Sequence, residues 1–327
     1  FNPTLPVRDE NGEYSMNQDA SFLPNPVSLL DITDKTTKER LLGTVFFEVR
    51  PIQDLLLKAN FGIDRNYQKR KQYMPTTTLY GARENGSGYI AQADNSDYLM
   101  ELTANYTKQF GDHNLNALVG HSYQLFTYEM FSGKSNDFIT DGFLYNNLGA
   151  GNAKRPTVGS SATKSRMASF FGRLNYTLLD RYLFTATFRR DGTSRFREHW
   201  SNFPSVALAW KVKEEKFLKD VDVLSDLKVR VGWGITGQQN LGDNLDFPFM
   251  PLYTASGNGA YYPLGDIYYT TSRPKEYNKD LKWEETTTYN AGFDYAFLNG
   301  RISGSIDYYY RETKDLINTV KIAAGTN

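Results

Sequence analysis

The sequence lacks cysteine, a long apolar run and a net charge, and each absence excludes a class of protein. Without cysteine there is no disulfide framework and no thiolate metal site. With a formal net charge of +0, the 327 residues give no global electrostatic reason to bind nucleic acid. No stretch approaches the roughly 20 apolar residues of a membrane helix. A membrane barrel stays open, because each of its strands carries only a weak signal.

The chain also lacks an initiating Met and an apolar leader, since it begins at Phe1 with a proline-containing polar stretch. We therefore expect a piece of a longer protein whose export signal lies outside this sequence. Aromatic residues, in contrast, are abundant: they make up 15% of the chain, with 23 Tyr and 21 Phe. Tyrosine at this frequency is typical of the interfacial girdles of membrane barrels or of sugar-facing loops.

Alternation of apolar and polar residues is clearest between residues 285 and 314. Apolar or aromatic side chains occupy every second position of the first arm: Tyr289, Ala291, Phe293, Tyr295 and Phe297. The second arm repeats this pattern from Ile302 to Tyr310. Asn299-Gly300 lies between the arms, and a type I′ turn needs positive φ at both central residues. The stretch therefore predicts an antiparallel hairpin with one apolar and one polar face.

The same hairpin recurs along the chain, and its connections alternate in length. Short connections are predicted at 51–54, 111–113, 179–181, 213–225 and 299–300, and long ones at 65–97, 131–164, 192–202 and 237–284. Outer-membrane barrels place short turns on the periplasmic side and long loops outside. We therefore predict an all-β fold, an antiparallel transmembrane β-barrel segment of about ten strands of roughly 10 to 14 residues each.

Some stretches depart from the alternation. Residues 1–36 are rich in proline and are predicted to be an irregular loop, so the first strand is expected from about Arg40. The arm 114–130 alternates cleanly only through Val119, which a bulge would explain. A helical pattern runs from Lys213 to Leu224 and predicts a short connector. The alternation is lost after Lys314.

Alternation by itself leaves a second fold open. In a soluble, surface-exposed β-sandwich that binds carbohydrate, the apolar face would form the shared core instead of meeting lipid. An outer-membrane barrel enzyme is a third and weaker alternative. The three histidines are dispersed and no Ser/His/acid cluster accompanies them, so we expect no enzyme, no catalytic residue, no metal site and no cofactor.

Two groups of side chains are candidates for function. Charged residues on the polar faces would line a solute path or contact a plug: Arg173, Arg189, Asp191, Lys228, Arg230, Asp294, Arg301 and Asp307. Tyrosines crowd the fourth long loop, where they would stack on sugar or peptide rings or pack the loop itself: Tyr253, Tyr261, Tyr262, Tyr268 and Tyr269.

The glycines of the stretch 232–237 spell G-x-G-x-x-G after a strand, which could indicate a dinucleotide loop. A proline- and glycine-containing stretch follows instead of the helix that such a loop requires. We therefore interpret Gly232 and Gly234 as small residues on the polar face of a strand.

Several motifs in a fixed order resemble the SusC/RagA family of TonB-dependent outer-membrane transporters. The similar segments are Arg189–Phe196, Trp200–Ser205, Ala209-Trp210, Glu215–Phe217, Leu227–Arg230, Gly232–Gly234, Thr236–Gln239, Leu281–Glu284 and Asp315–Ile317, with Asn25-Pro26 and Arg40–Gly62 similar to an earlier region. The resemblance covers nearly the whole chain.

The resemblance implies a barrel of about 22 strands plugged by an N-terminal domain. Residues 1–327 would be the middle of the barrel domain, without the plug, the TonB-contacting segment and the last strands. It also implies a Gram-negative, Bacteroidetes-like outer membrane and import of glycans or peptides. The implied partners are outer-membrane lipid, a SusD-like surface lipoprotein that acts as a lid, and TonB through the absent N-terminal part. A dimer of transporter–lipoprotein pairs is a further expectation.

Overall fold

The computed structural model describes residues 3–152, 156–241, 247–255, 261–274 and 277–318. Ten strands form one antiparallel sheet in the order β1-β2-β3-β4-β5-β6-β7-β8-β13-β14. Their bounds are Thr33–Ile52 (β1), Leu55–Met74 (β2), Ser87–Phe110 (β3), His113–Asn136 (β4), Thr157–Leu178 (β5), Tyr182–Thr193 (β6), Trp200–Lys211 (β7), Leu224–Gln238 (β8), Glu284–Phe297 (β13) and Ile302–Lys314 (β14). The predicted number of about ten antiparallel strands is confirmed.

Short elements occupy the connections. Two small sheets pair β9 (Tyr253–Ala255) with β12 (Ser272–Pro274) and β10 (Tyr261–Leu264) with β11 (Ile267–Thr270). The one α-helix among the described residues is α1, Leu79–Glu84, and 3-10 helices span Gln18–Ala20, Pro26–Asp31, Asp141–Asn146, Leu148–Ala150 and Val212–Glu214. Within the described ranges, no helix has both the length and the apolar character needed to cross a membrane.

The register of the strands confirms the predicted two faces. Directly opposed residues of an antiparallel pair share a face. One row across β13, β8, β7, β6 and β5 is entirely apolar: Ala291, Val231, Leu208, Phe184 and Tyr176. The neighbouring row carries Gly292 and Arg230, which lie opposite each other on the other face. Period-two alternation in the sequence therefore reports the faces correctly.

The apolar face is open. Phe184, Trp233, Phe293 and Tyr295 would be buried between stacked sheets in a sandwich, but none of the four is buried. Phe293 keeps 38% of its surface exposed, and Leu208 keeps 51%. The described residues thus do not support the sandwich alternative.

The strand ends differ most from the prediction, because the first five strands continue into the predicted long loops. β1 begins at Thr33 instead of Arg40, and β2 continues to Met74. The connections shrink to 75–86, 137–156 and 194–199. The last of these is shorter than 212–223 on the opposite end of the strands, so the predicted strict alternation of short and long connections is wrong there.

Ion pairs between neighbouring strands explain the extra length. Asp34 of β1 meets Arg70 of β2 at 2.5 Å, and Arg40 meets Asp64 at 2.7 Å. Both ion pairs lie on one face, and the other face of β1 carries Lys35, Thr37 and Glu39, so both faces are polar in this strand end. A hydrophobic period cannot report a strand whose two faces are both polar.

Two connections on the opposite end correct further predictions. The stretch from Lys213 to Leu224 is not an α-helix but the 3-10 helix Val212–Glu214 followed by turns. Lys213 Nζ donates to the carbonyl oxygens of Leu218, Lys219 and Val221 at 3.0, 3.0 and 2.8 Å. The Lys213 ammonium group therefore binds carbonyl oxygens of this stretch, whereas an α-helix would pair its carbonyl oxygens with backbone N–H groups of its next turn.

The hairpin between β13 and β14 turns through residues 298–301, because Phe297 pairs with Ile302. Asn299 and Gly300 have the predicted positive φ, but Leu298 has it too, at 53°. The turn is thus longer than the predicted two-residue type. β14 ends at Lys314, as the loss of alternation predicted. The bulge after Gly120 stays a prediction.

Buried side chains form one cluster in each of two compact units. The first unit comprises 1–43, 62–98 and 126–164, and the second comprises 44–61, 99–125 and 165–327. In the first unit, Tyr73, Phe138 and Tyr145 are buried together. In the second unit, the buried cluster consists of Phe196, Phe203, Leu241 and Trp283.

Candidate functional site: the polar face and the long connections

A charged cluster spans β8, β13 and β14 on the polar face. Arg230 binds Asp294 through two hydrogen bonds of 2.8 and 3.0 Å, and its guanidinium also lies 3.1 Å from Asp307. Lys228 is 4.0 Å from Asp294. Gly292 stands opposite both Arg230 and Asp307, so the absence of a side chain lets the guanidinium cross β13. The structure thus brings together four predicted site residues, with balanced charge.

A second charged pair lies further along the polar face, toward the connection 194–199. Arg189 Nε is 2.7 Å from Asp191 Oδ1, and Arg189 Nη2 donates to Ser169 Oγ at 2.8 Å. The guanidinium stacks over the ring of Phe171, 5.4 Å from its centre. Asp191 and Ser169 are buried, so the arginine is held by contacts on both sides.

Between these charged groups the polar face forms a groove of about 640 Å³. Its lining has a polar part of hydroxyls, one amide and the Arg189–Asp191 pair, and an apolar part that includes Phe203, Trp233 and Ile235. The hydroxyl, amide and glycine positions are Thr185, Thr187, Ser205, Thr236, Thr288, Asn290, Gly232, Gly234 and Gly237. A Cβ at Gly234 would lie 2.8 Å from Ser205 Cβ, so a larger residue would crowd the wall. Gly232 and Gly234 therefore lie on the polar face of a strand, as predicted.

The remaining two charged candidates have different positions. Arg173 lies opposite Thr187, on the same face as the groove. Arg301 lies in the turn 298–301, so its predicted placement on the strand is wrong, while its contact with a solute or plug stays a prediction. Within the described residues neither arginine forms an ion pair, and both guanidinium groups are available to a further ligand or chain segment.

The predicted tyrosine group is divided by the small sheets of the connection 239–283. Tyr262 and Tyr269 lie opposite each other on one face of the β10–β11 hairpin, while Tyr268 lies on the other face. Tyr253 begins β9, and all four rings are exposed. The side chain of Tyr261 lies outside the described part of the structure. Each of these four side chains keeps half or more of its surface exposed, and their contact with a ligand stays a prediction.

The sequence did not predict the buried aromatic cluster at the base of this connection. Phe196 is 0% exposed, and its ring meets that of Trp283 edge to face, with centroids 5.6 Å apart. Phe203 packs on the same indole at 5.4 Å. Trp283 Nε1 donates to the carbonyl oxygen of His199 at 3.1 Å. Aromatic residues inside the polar segments 193–199 and 279–285 were the available signal for this packing.

A second unpredicted cluster fixes the connection 137–156 to the end of β2. Asp141 Oδ1 accepts from the hydroxyl of the buried Tyr73 at 2.8 Å. Asp141 Oδ2 accepts from Thr76 Oγ1 at 2.7 Å and from the Thr76 amide at 3.2 Å. One carboxylate therefore holds the first turn of this connection.

A third cluster lies on the opposite end of the strands, in the connection 212–223. Glu215 Oε1 accepts from Tyr182 Oη at 2.5 Å and from Trp210 Nε1 at 3.1 Å. Arg181 lies 3.0 Å from the second carboxylate oxygen. These contacts, first the Tyr182 hydroxyl and then the Trp210 indole, lower the pKa of Glu215 below its usual value.

The histidines lie apart, as predicted. His113 Nδ1 is 2.6 Å from the Tyr176 hydroxyl, and His121 Nδ1 is 3.0 Å from the Ser169 carbonyl oxygen. In the part of the chain that the structure describes, no group of three or more His, Asp or Glu residues could hold a metal ion.

Comparisons with known proteins agree on one family. Residues 5–327 match the family model described as TonB dependent receptor-like, beta-barrel. The TonB-dependent receptor SusC of Bacteroides thetaiotaomicron is 43% identical over 338 aligned residues, which cover 100% of this chain and 32% of that protein. The TonB-dependent receptor P3 of Formosa agariphila is 31% identical and covers 97% of this chain and 31% of its own length. The chain therefore spans about a third of the length of these relatives.

A solved structure shows the same fold. The RagAB peptide transporter superposes with a TM-score of 0.81 at 23% identity, covering 94% of this chain and 34% of the matched chain.

Proposed function

This chain belongs to the family of TonB-dependent receptor-like β-barrels, and from that premise we propose that it forms part of the wall of an active nutrient importer. The predicted resemblance to the SusC/RagA family is confirmed, and the sheet is part of an outer-membrane β-barrel. The proposed cargo is an oligosaccharide or a peptide, taken up intact without chemical change. We place residues 1–327 in the barrel domain, and the plug, the TonB-contacting segment and the last strands in the rest of the protein.

The two-faced sheet is the observation that supports this function best. Rows of apolar side chains such as Val231 and Leu208 are exposed on one face, where a barrel meets hydrocarbon. The opposite face carries the groove and the charge-balanced cluster around Arg230. A wall with these two faces suits a protein that separates lipid from a polar passage.

The partners follow from the family. We propose that a SusD-like surface lipoprotein covers the long connections and that TonB acts through a segment outside this sequence. The exposed rings of Tyr253, Tyr262, Tyr268 and Tyr269 support a role in contact with solute or lid, because exposed tyrosine is suited to both. A dimer of transporter–lipoprotein pairs stays a prediction.

The polar-face residues would act on solute or plug. Lys228, Arg230, Asp294 and Asp307 form one charge-balanced cluster, while Arg173 has no ion-pair partner among the described residues. We propose that the groove beside them faces the passage or the plug that fills it, since lumen residues set the selectivity of such barrels.

Deletion of the full-length gene tests the proposal. A deletion strain grown on a panel of glycans and peptides as sole nutrients should lose growth on one class, and the full-length gene should restore it. Tyr262→Ser and Tyr268→Ser in the restoring gene should weaken growth at limiting nutrient concentration without lowering protein abundance in the outer membrane. Unchanged growth of the deletion strain on the whole panel would contradict import as the function.

A further inference from the structure

A second groove lies on the apolar face, near the connections 179–181 and 212–223. Its volume is about 480 Å³, within the roughly 300–1,000 Å³ typical of ligand sites. The side chains that line it are almost all apolar or aromatic: Tyr176, Leu178, Tyr182, Phe184, Leu208, Trp210, Val229 and Val231. Because this face meets hydrocarbon in an outer-membrane barrel, the groove is continuous with the lipid-facing surface.

The connection 212–223 beside this groove exposes apolar side chains. Phe217 is 68% exposed and Val223 is 60% exposed. The three carbonyl contacts of Lys213 fix the local backbone, so these side chains are presented by an ordered turn. Exposed apolar residues next to a membrane-facing surface are typical of segments that enter the interfacial layer.

Hydrogen bonds join the connection to the groove. Glu215 accepts from Tyr182 and Trp210, whose rings stack with centroids 6.4 Å apart at the rim of the groove. The connection and the groove are therefore one structural unit, and the turn cannot leave the rim without breaking these contacts.

The charges of the connection decide which headgroup fits. Lys216 and Lys219 are exposed, and so are the carboxylates of Glu214, Asp220 and Asp222. A purely anionic headgroup would meet the carboxylates as well as the lysines. A zwitterionic headgroup offers a phosphate to the ammonium groups and its own ammonium to the carboxylates.

We propose that the groove and the connection 212–223 form a binding site for a zwitterionic aminophospholipid of the membrane leaflet at this end of the strands. An acyl chain lies along Phe184, Leu208 and Val231, and the headgroup lies at Lys216 and Lys219. This inference rests on the barrel fold and not on the proposed import, so the two can fail separately.

The test uses the full-length protein, purified in mild detergent and analysed by native mass spectrometry after exposure to defined lipids. With equal amounts of phosphatidylethanolamine and phosphatidylglycerol, the parent protein should retain phosphatidylethanolamine. The double variant Lys216→Glu/Lys219→Glu removes the phosphate contacts, and Leu208→Trp fills the groove. Each should lower the retention of phosphatidylethanolamine roughly tenfold, because the lysine variant reverses the charge at the headgroup and Leu208→Trp occupies the space of the acyl chain.

A matched control comes from another groove on the same apolar face. That groove has a volume of about 630 Å³ and is lined in part by Phe47, Leu102 and Val119. The connections on this side of its strands, 53–54 and 111–112, are short. Leu102→Trp should therefore leave the retained lipid unchanged. Heat-modifiable gel mobility reports folding of each variant, and the lysine variant tests the site if Leu208→Trp fails to fold.

Four results would overturn the proposal. One is equal lipid retention by the parent and the lysine variant, and another is an equal loss in Leu102→Trp. The third is a preference for phosphatidylglycerol, which would assign the groove to an anionic lipid. The fourth is a protein dimer that disappears in Leu208→Trp with no retained lipid, which would assign the groove to a second copy.

Discussion

Each unit has a buried aromatic cluster, but the strand ends on the long-connection side differ in length and in the further contacts that join them. In the first unit, β1 and β2 extend by many residues, and ion pairs such as Asp34–Arg70 and Arg40–Asp64 join the neighbouring strands at exposed positions. In the second unit, β6 and β7 end earlier, and their connection inserts Phe196 into a buried aromatic cluster. Exposed ion pairs contribute little each, whereas buried rings contribute several kcal/mol.

This difference has a functional consequence. Where weak, separate ion pairs join the strand extensions, each ion pair can break without breaking the others. A loop anchored by Phe196 and Trp283 keeps its base fixed, while Tyr253, Tyr262, Tyr268 and Tyr269 of the connection 239–283 are exposed. We therefore expect the base of this connection to stay in place when solute or a partner binds at its exposed part.

The largest effect is expected for Phe196→Ala. Because this ring is fully buried against Phe203 and Trp283, its loss should lower the free energy of unfolding by about 3–5 kcal/mol. Denaturant unfolding of the full-length protein in detergent micelles measures the change. Phe143→Ala, at a half-exposed position of the connection 137–156, should cost much less, and equal losses would mean that burial in the cluster does not set the contribution of Phe196.

A charged substitution in the middle of β13 should have the next largest effect on folding into lipid. Phe293→Arg places a charge on the apolar face, which should cost about 2–4 kcal/mol if this position lies at the bilayer midplane. Asn290→Arg on the polar face, opposite Gly232, is the matched control and should fold into lipid vesicles almost as well as the parent. A small effect of Phe293→Arg on folding into vesicles would contradict the assignment of the two faces.

The sequence predicted the two faces of the strands better than it predicted where the strands end. Alternation placed Phe293 and Arg230 on opposite faces because side chains in any strand alternate, and the register confirms it. The end of β2 was missed because Arg70 and Tyr73 belong to a strand without an apolar period. Phe196 was missed as a core residue because its burial depends on a long-range contact with Trp283 that no local pattern reports.

The candidate site divides in the same way. The positions of Arg230 and Asp294 on one face follow from the alternation of side chains along each strand. Their pairing also depends on the register of β8 against β13. Arg301 was misplaced because the turn 298–301 is longer than the Asn-Gly signal predicts. The sequence can therefore name a face, while the partner of each charge requires the strand register.

The connection 212–223 should give a smaller, pH-dependent effect. Contacts to Tyr182 and Trp210 lower the pKa of Glu215 below its ordinary value of 4.5. Its stabilising contribution is therefore fully present above about pH 4.5 and is lost as the pH falls through the lowered pKa of the folded state. Thermal unfolding between pH 3 and 7 measures this, and Glu215→Gln should flatten the acid limb. An unchanged acid limb in that variant would assign the pH dependence to other groups.

The smallest effect is expected at the extended strand ends. Arg70 binds Asp34 with contacts of 3.0 and 2.5 Å, but both side chains are partly exposed. Arg70→Gln should therefore lower the free energy of unfolding by at most about 1 kcal/mol, and less at high salt. Denaturant unfolding at low and high ionic strength measures the loss of stability and its dependence on salt. A salt-independent loss as large as that of Phe196→Ala would mean that the extensions are anchored as firmly as the aromatic cluster, and the contrast between the two units would not hold.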